Sequence, residues 1–177
     1  MAKQAKHRYK NAAYVKPVPF DSMSASARRV AVAKDVIAGL KSKRLKSQHC
    51  YLFTKGTVTL NGGEDLQTIL ATKVRQCEVC GIGAIFVAAV EKFDRVTCER
   101  GSILQFGSDE VIAAKLKGLF SPKQLQLIEA VYEGYTHKHP YHLSNKIYAF
   151  SYRFPDSENR MVAIMRNIIR NNGVFKL

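Results

Sequence analysis

Two groups of side chains in this sequence are of types that do chemistry. The first is Cys50, Cys77, Cys80 and Cys98, with Cys77 and Cys80 at Cys-x-x-Cys spacing. Thiolates at that spacing can ligate zinc or cycle as a redox pair. A zinc knuckle normally sits in a polar, glycine-bearing turn, whereas this pair opens an apolar run, and cysteine is among the residues most often fully buried. Reduced, mostly buried thiols are therefore expected, with no metal and no cofactor. The second group is His137, His139 and His142 in Thr136-His137-Lys138-His139-Pro140-Tyr141-His142. Closely spaced imidazoles suit metal binding or acid–base work. Here Pro140 breaks any helical i, i+4 pairing and no carboxylate stands nearby to orient a ring. A polar surface loop is expected instead.

Charge carries more of the functional signal. The 177 residues hold 28 Lys and Arg against 14 Asp and Glu, a formal net charge of +14. Residues 1–50 contain 12 of those cations and only Asp21 and Asp35 against them. A basic end of this kind seeks an acidic partner, whether nucleic acid, an anionic membrane surface or an acidic protein. Of these, nucleic acid or an acidic protein is expected, and no membrane. Residues 1–23 read as a basic, irregular arm held extended by Pro17 and Pro19. Lys3, Lys6, Arg8, Lys10 and Lys16, with Tyr9 and Tyr14 interleaved, can track phosphates and stack on bases. Arg28 and Arg29 at the start of the first helix extend the same basic surface. A disordered tail and a solvated helix face are the alternative meanings of these charges.

These residues must be positioned by something, and the chain is organised around one stretch. From Val79 to Val90 every residue is apolar or glycine, too short a run to cross a bilayer and long enough for a buried helix. Residues 78–93 are therefore expected to form a central helix, with Cys80, Ala84 and Ala88 as a stripe of small side chains. Before it, Ser24 or Ser26 caps a helix running to about Lys43, with Val32, Ala33, Val36, Ile37 and Leu40 inward. Cys50–Phe53 and Thr57–Leu60 read as a short strand pair. Glu64 and Asp65 begin a helix whose buried face is Leu66, Leu70, Val74 and Cys77, with Ile69 beside them, and Ser108-Asp109-Glu110 begins another. Ser121-Pro122-Lys123-Gln124 combines a serine cap, proline in the first turn and glutamine three residues on. That helix should end at Gly134. Lys146–Phe154 would place Tyr148, Phe150, Tyr152 and Phe154 on one face if extended, and spread them around more than half the circumference if helical, as a stacking platform or, more in keeping with a chain lacking tryptophan, as core. A last helix begins near Ser157, with Met161, Ile164, Met165, Ile168 and Ile169 inward, Arg160, Arg166 and Arg170 outward, and Asn172-Gly173 as its stop.

The expected fold is thus mainly α (α+β): a basic arm over 1–23, then a single compact domain over 24–177. That domain would have five or six helices around a buried central helix and a short strand pair. Catalytic signatures are missing: there is no dinucleotide fingerprint, no Walker loop, no His-Glu-x-x-His and no nucleophile elbow. The first apolar run comes too late for a secretory leader, and a cytoplasmic protein is expected.

Arg29-Val30-Ala31-Val32-Ala33-Lys34-Asp35-Val36-Ile37 resembles stretches of small uncharacterised proteins of tailed bacteriophages. So do Cys77-Glu78-Val79-Cys80-Gly81-Ile82-Gly83 and Met161-Val162-Ala163-Ile164-Met165-Arg166-Asn167-Ile168-Ile169. The resemblance covers most of residues 28–175, leaves out the arm and assigns no residue a role. It implies an accessory protein of the bacterial host cytoplasm. Together these readings lead to a non-enzymatic basic protein that binds nucleic acid or nucleotide through its arm and first helix. The alternative is an inhibitor or adaptor that acts on an acidic host or defence-system protein.

Overall fold

The computed structural model of the chain describes residues 19–49, 52–54, 67, 70, 75–93, 116, 118–134 and 141–177. Within them the fold is mainly helical with one small sheet. A 3-10 turn at Phe20–Ser22 leads into α1 (Ala25–Lys41), then β1 (Leu45–Ser47), β2 (Leu52–Thr54) and β3 (Cys77–Val79). Four helices follow: α2 (Gly81–Phe93), α3 (Pro122–Glu133), α4 (Tyr141–Arg153) and α5 (Ser157–Arg170). Among the described residues no helix is long and apolar enough to cross a membrane. Residues 1–18 of the arm, most of the helices expected from Glu64 and from Ser108, and the Thr57–Leu60, Cys50, Cys98, His137 and His139 readings fall outside the described residues, while residues 20–22, expected as part of the irregular arm, form the 3-10 turn.

The apolar run does form the centre, but it is divided between two elements. Residues 81–93 are helix, and Ala84 through Val90 are all buried. Cys77–Val79, with Cys77 expected on the buried face of the preceding helix and residues 78–79 at the start of the central one, is instead a strand with alternating burial. Cysteine and valine on the inner face with Glu78 between them match the two-residue period of a half-buried strand. Cys80 then serves as the cap of α2: its carbonyl accepts from Ala84 N at 2.9 Å and its Sγ from Gly83 N at 3.4 Å. A thiol at this position satisfies an otherwise orphaned helix-start N–H.

β3 is the middle strand of a three-stranded sheet ordered β1-β3-β2. It pairs with β1 in parallel, Leu45 opposite Cys77 and Ser47 opposite Val79, and with β2 antiparallel, Leu52 opposite Val79. Of the strand pair expected near residues 50–60, Leu52–Thr54 is a strand and pairs with β3, while Thr57–Leu60 lies outside the described residues. Lys46 and Glu78, side by side on β1 and β3, form an ion pair at 3.0 Å.

Caps define the helices as their residue types require. Ser24 Oγ accepts from Ala27 N at 3.2 Å, Ser121 Oγ from Gln124 N at 3.3 Å, and Asp156 Oδ1 from Asn159 N at 2.8 Å. The cap of α5 is thus Asp156, one residue before Ser157. Gly134 ends α3 with φ 76°, the left-handed conformation that glycine adopts without strain. Gln124 does not close a capping box. Its side-chain amide pairs with both backbone groups of Phe175, donating to the carbonyl at 3.2 Å and accepting from N–H at 2.8 Å. The chain after α5 folds back accordingly, with Phe175 buried.

Two expectations about side chains fail here. Arg160, placed outward by the sequence, is 8% exposed. Its guanidinium donates to the carbonyls of Tyr132 at 2.6 Å, Phe154 at 2.8 Å and Pro155 at 3.0 Å. The five donors of a guanidinium can satisfy several carbonyls at once, which makes burial of this cation tolerable. Second, the aromatics of Lys146–Phe154 do not all serve as core: of the extended and helical readings the helical one holds, since residues 141–153 form α4. The helix sends its aromatics to different sides: Phe150 packs against the core, whereas Tyr148 is 59% exposed and Tyr152 89%.

α2 packs against α1 on one side and α3 on another. Ala84 is fully buried on this helix. Ala84→Leu is expected to overpack the centre and destabilise the fold by about 1–3 kcal/mol. Urea titration followed by circular dichroism checks this, and an unchanged midpoint would show that the site has slack.

Candidate anion-binding groove

α4 and α5 each lean on α3 more than on one another, and the space between them is a groove. Its open volume is about 530 Å³. α4 contributes Lys146, Ala149, Phe150 and Arg153, spaced i, i+3, i+4, i+7, so one helical face makes the first wall. α5 contributes Ala163, Arg166, Asn167 and Arg170 at the same spacing, the face opposite its buried stripe of Met161, Ile164, Met165 and Ile168. Phe154 lies at the turn joining the helices, and Lys176 and Leu177 line the groove from the segment after α5.

Every charged side chain that lines the groove is a cation. Five lining residues are Lys or Arg and none is Asp or Glu. All five cations are exposed. Among the described residues the ion pairs join Lys43 to Glu158, Arg44 to Asp35 and Glu91, Lys46 to Glu78, and His49 to Glu133, so none involves these five. Like charges gathered around a concave, partly apolar surface raise the local potential and the concentration of anions there. The floor is aromatic: Phe150 and Phe154 lie 5.1 Å apart, Phe150 meets Phe175 edge-on at 5.9 Å, and the Arg153 guanidinium sits 5.5 Å over the Phe154 ring.

The walls are held by polar groups chosen for fit. Asn167 reads the backbone of Lys176 twice, donating to its carbonyl at 2.7 Å and accepting from its N–H at 2.9 Å. With Gln124 on Phe175, two side-chain amides fix the segment that brings Lys176 to the groove. Arg160 holds the carbonyls of Phe154 and Pro155 and so fixes the turn between α4 and α5.

The basic residues singled out from the sequence have other placements. Lys3, Lys6, Arg8, Tyr9, Lys10, Tyr14 and Lys16 lie outside the described residues. Arg28 donates from Nε to the carbonyls of Phe20 and Met23, each at 3.1 Å, and its guanidinium lies 5.3 Å over the Phe20 ring. Arg29 donates to Gly173 O at 2.7 Å and Leu119 O at 2.9 Å. Gly173 has φ 88°, and a Cβ there would meet Ser26 O at 2.7 Å, so the segment after α5 docks closely on α1. Both arginines hold the first turn and the last segment against α1. Arg44 joins the core in a similar way, linking Asp35 of α1 at 2.9 Å to Glu91 of α2. Lys34 and Lys41 are the exposed cations of α1 itself. The groove cations are readable from the sequence only as the outer faces of two helices. The one available signal is that Lys146, Arg153, Arg166 and Arg170 recur at seven- and four-residue spacing.

Of the four thiols, the two described ones take up structural positions. Cys77 is buried in β3, and Cys80 caps α2. Among the described residues no group of three or more His, Cys, Asp or Glu could hold a metal. His142 falls in the first turn of α4. Burial pushes the Cys77 thiol up to about 11 from its usual 9.0, against a lowering pull from Arg44. Burial also pushes the Tyr132 phenol up to about 12, opposed by its hydrogen bond with Ser47. Both values are raised, so the unfolded chain ionises first. The stability tied to the neutral forms is complete below about pH 9 and is lost as pH rises toward 11 for Cys77 and 12 for Tyr132. Unfolding midpoints are thus expected to fall between about pH 8 and about pH 10.5. Cys77→Ala should flatten the earlier part of that fall, and an identical pH profile in the variant would contradict this.

Comparison with protein-family models, with curated proteins and with solved structures found no match to this chain.

Proposed function

We propose that this protein is a nucleic-acid-binding protein without catalytic activity, which grips phosphates in the groove between α4 and α5 and adds the basic arm to the same contact. The observation that carries the reading is the concentration of five exposed cations around one groove with no carboxylate side chain among its lining residues. Arginine presents donors in a fork that matches phosphate oxygens, and three of the five are arginine. The aromatic floor accommodates sugar and base surfaces, and the basic residues 3–16 would lengthen the path along the backbone. No base-reading motif is present, so weak sequence preference is expected. α1 is not the main contact surface in this reading, because Arg28 and Arg29 are engaged by backbone carbonyls.

The test is binding of a labelled oligonucleotide across a salt series. Affinity should fall steeply with salt, and deletion of residues 1–18 should weaken binding and flatten the slope while the groove retains a measurable share. No binding of DNA or RNA at about 50 mM salt would exclude the reading, and capture of an acidic protein from nuclease-treated lysate would then replace it.

A further inference from the structure

Resting on that reading, we infer that the groove between α4 and α5 holds the end of a nucleic-acid strand, and that the group it takes there is a terminal phosphate monoester. Size is the first observation. An open volume of about 530 Å³ suits one small ligand, within the roughly 300–1,000 Å³ usual for such sites. On α4 the cationic wall runs from Lys146 to Arg153, about 10 Å of helix. On α5 it runs from Arg166 to Arg170, about 6 Å of helix. Phe154 bounds the groove at the α4–α5 turn, and Lys176 and Leu177 bound it from the segment held by Asn167. This is room for the end of a strand rather than a long track.

Charge is the second observation. A strand carries one phosphate per roughly 3.4 Å of duplex axis, and an extended strand is more sparsely charged. A wall of about 10 Å thus meets at most about three phosphodiesters, a charge of about −3. Five Lys and Arg side chains line the groove, and no Asp or Glu offsets them. Interior phosphodiesters therefore leave positive charge to spare. A terminal monoester carries about −1.5 to −2 at neutral pH and offers three acceptor oxygens, so it adds charge without adding length. The guanidinium forks of Arg153, Arg166 and Arg170 match those oxygens. The floor fits the nucleotide that bears it. A terminal base has one face free of neighbours, and Phe150 and Phe154, both only partly buried, supply ring surface beside the cations. Arg153, already 5.5 Å over the Phe154 ring, has a second planar face on which a base can lie.

The experiment titrates full-length protein with one mixed-sequence single strand in four forms: both ends hydroxyl, 5′-phosphate, 3′-phosphate, and closed into a circle. At about 0.1 M salt each charge neutralised is worth about 0.7 of a decade, so one phosphorylated form should bind about fivefold or more tightly than the hydroxyl-ended strand. Which form gains gives the polarity of the bound end. The circle should bind no more tightly than the hydroxyl-ended strand. The gain should vanish in Lys146→Gln/Arg153→Gln/Arg166→Gln/Arg170→Gln. A nucleoside monophosphate at equal concentration should not displace the phosphorylated strand, and displacement would overturn the inference in favour of a free nucleotide. Equal binding of all four forms, or a gain that persists in the fourfold variant, overturns the inference and leaves the nucleic-acid reading standing. Failure of the parent protein to bind any form overturns both.

Discussion

Protein in which Lys146, Arg153, Arg166 and Arg170 are all replaced by glutamine is expected to bind single-stranded oligonucleotide roughly a hundred- to a thousandfold more weakly at about 0.1 M salt. Each phosphate neutralised on a single strand contributes about −0.7 to the slope of log K against log salt. At 0.1 M that is about 0.7 of a decade per phosphate, so removing four phosphate-binding cations weakens binding by nearly three decades and lowers the slope by about 3. All four side chains are exposed on helix surfaces, and glutamine keeps good helix propensity. The fold should survive the substitutions, as circular dichroism and the urea midpoint would show. Restoring any one arginine should recover part of both the affinity and the slope. Undiminished affinity in the fourfold variant would remove the groove from the account and leave the arm as the binding element.

The second large effect concerns the buried cation behind the groove. Arg160→Met keeps much of the side-chain volume but removes every donor. The carbonyls of Tyr132, Phe154 and Pro155 then lose their guanidinium partner close to the end of α3 and at the α4–α5 turn. Leaving a buried acceptor unsatisfied costs about 1–3 kcal/mol, and losing a multiply bonded buried charge costs about 3–5 kcal/mol in comparable cases. The exchange is not wholly unfavourable, because methionine avoids desolvating a charge. We expect a net loss of about 3 kcal/mol, read as a lower urea midpoint with little change in the denaturant slope. Arg160→Lys should recover only part of it, since an ammonium lacks the planar fork that reaches three carbonyls. Stability unchanged in Arg160→Met would show that the three carbonyls find other donors.

What is legible in the sequence is local. The serine caps at Ser24 and Ser121, the glycine stop at Gly134 and the inward stripe of α5 all depend on residues within one or two turns, and each is readable. The sheet depends on Leu45 meeting Cys77 across more than thirty residues. Nothing in the three-residue strands themselves announces that pairing, so Cys77 reads as the end of one helix face and residues 78–79 as the start of the next helix. Arg160 reads as outward because charge is normally a surface signal. Only the meeting of Tyr132, Phe154 and Pro155 carbonyls at one point makes its burial possible. The aromatics of 146–154 alternate in sequence, which favours a strand reading. Packing of Ile147 and Phe150 toward the core, with Ser151 bonded to Val131 O at 3.1 Å, instead suits a helix. The groove is hidden for a related reason. Its cations belong to two helices and the segment after them, and each alone reads as a solvated face.

Photo-crosslinking tests the central claim most directly. Full-length protein is irradiated with a single-stranded oligonucleotide carrying 5-bromouracil, and the adducts are located by mass spectrometry. The account predicts adducts on α4 and the segment after α5, centred on the peptides bearing Phe150, Phe154 and Lys176, and their loss in the fourfold glutamine variant. Adducts confined to α1 or the sheet, or an adduct pattern unchanged by neutralising the groove, would contradict it.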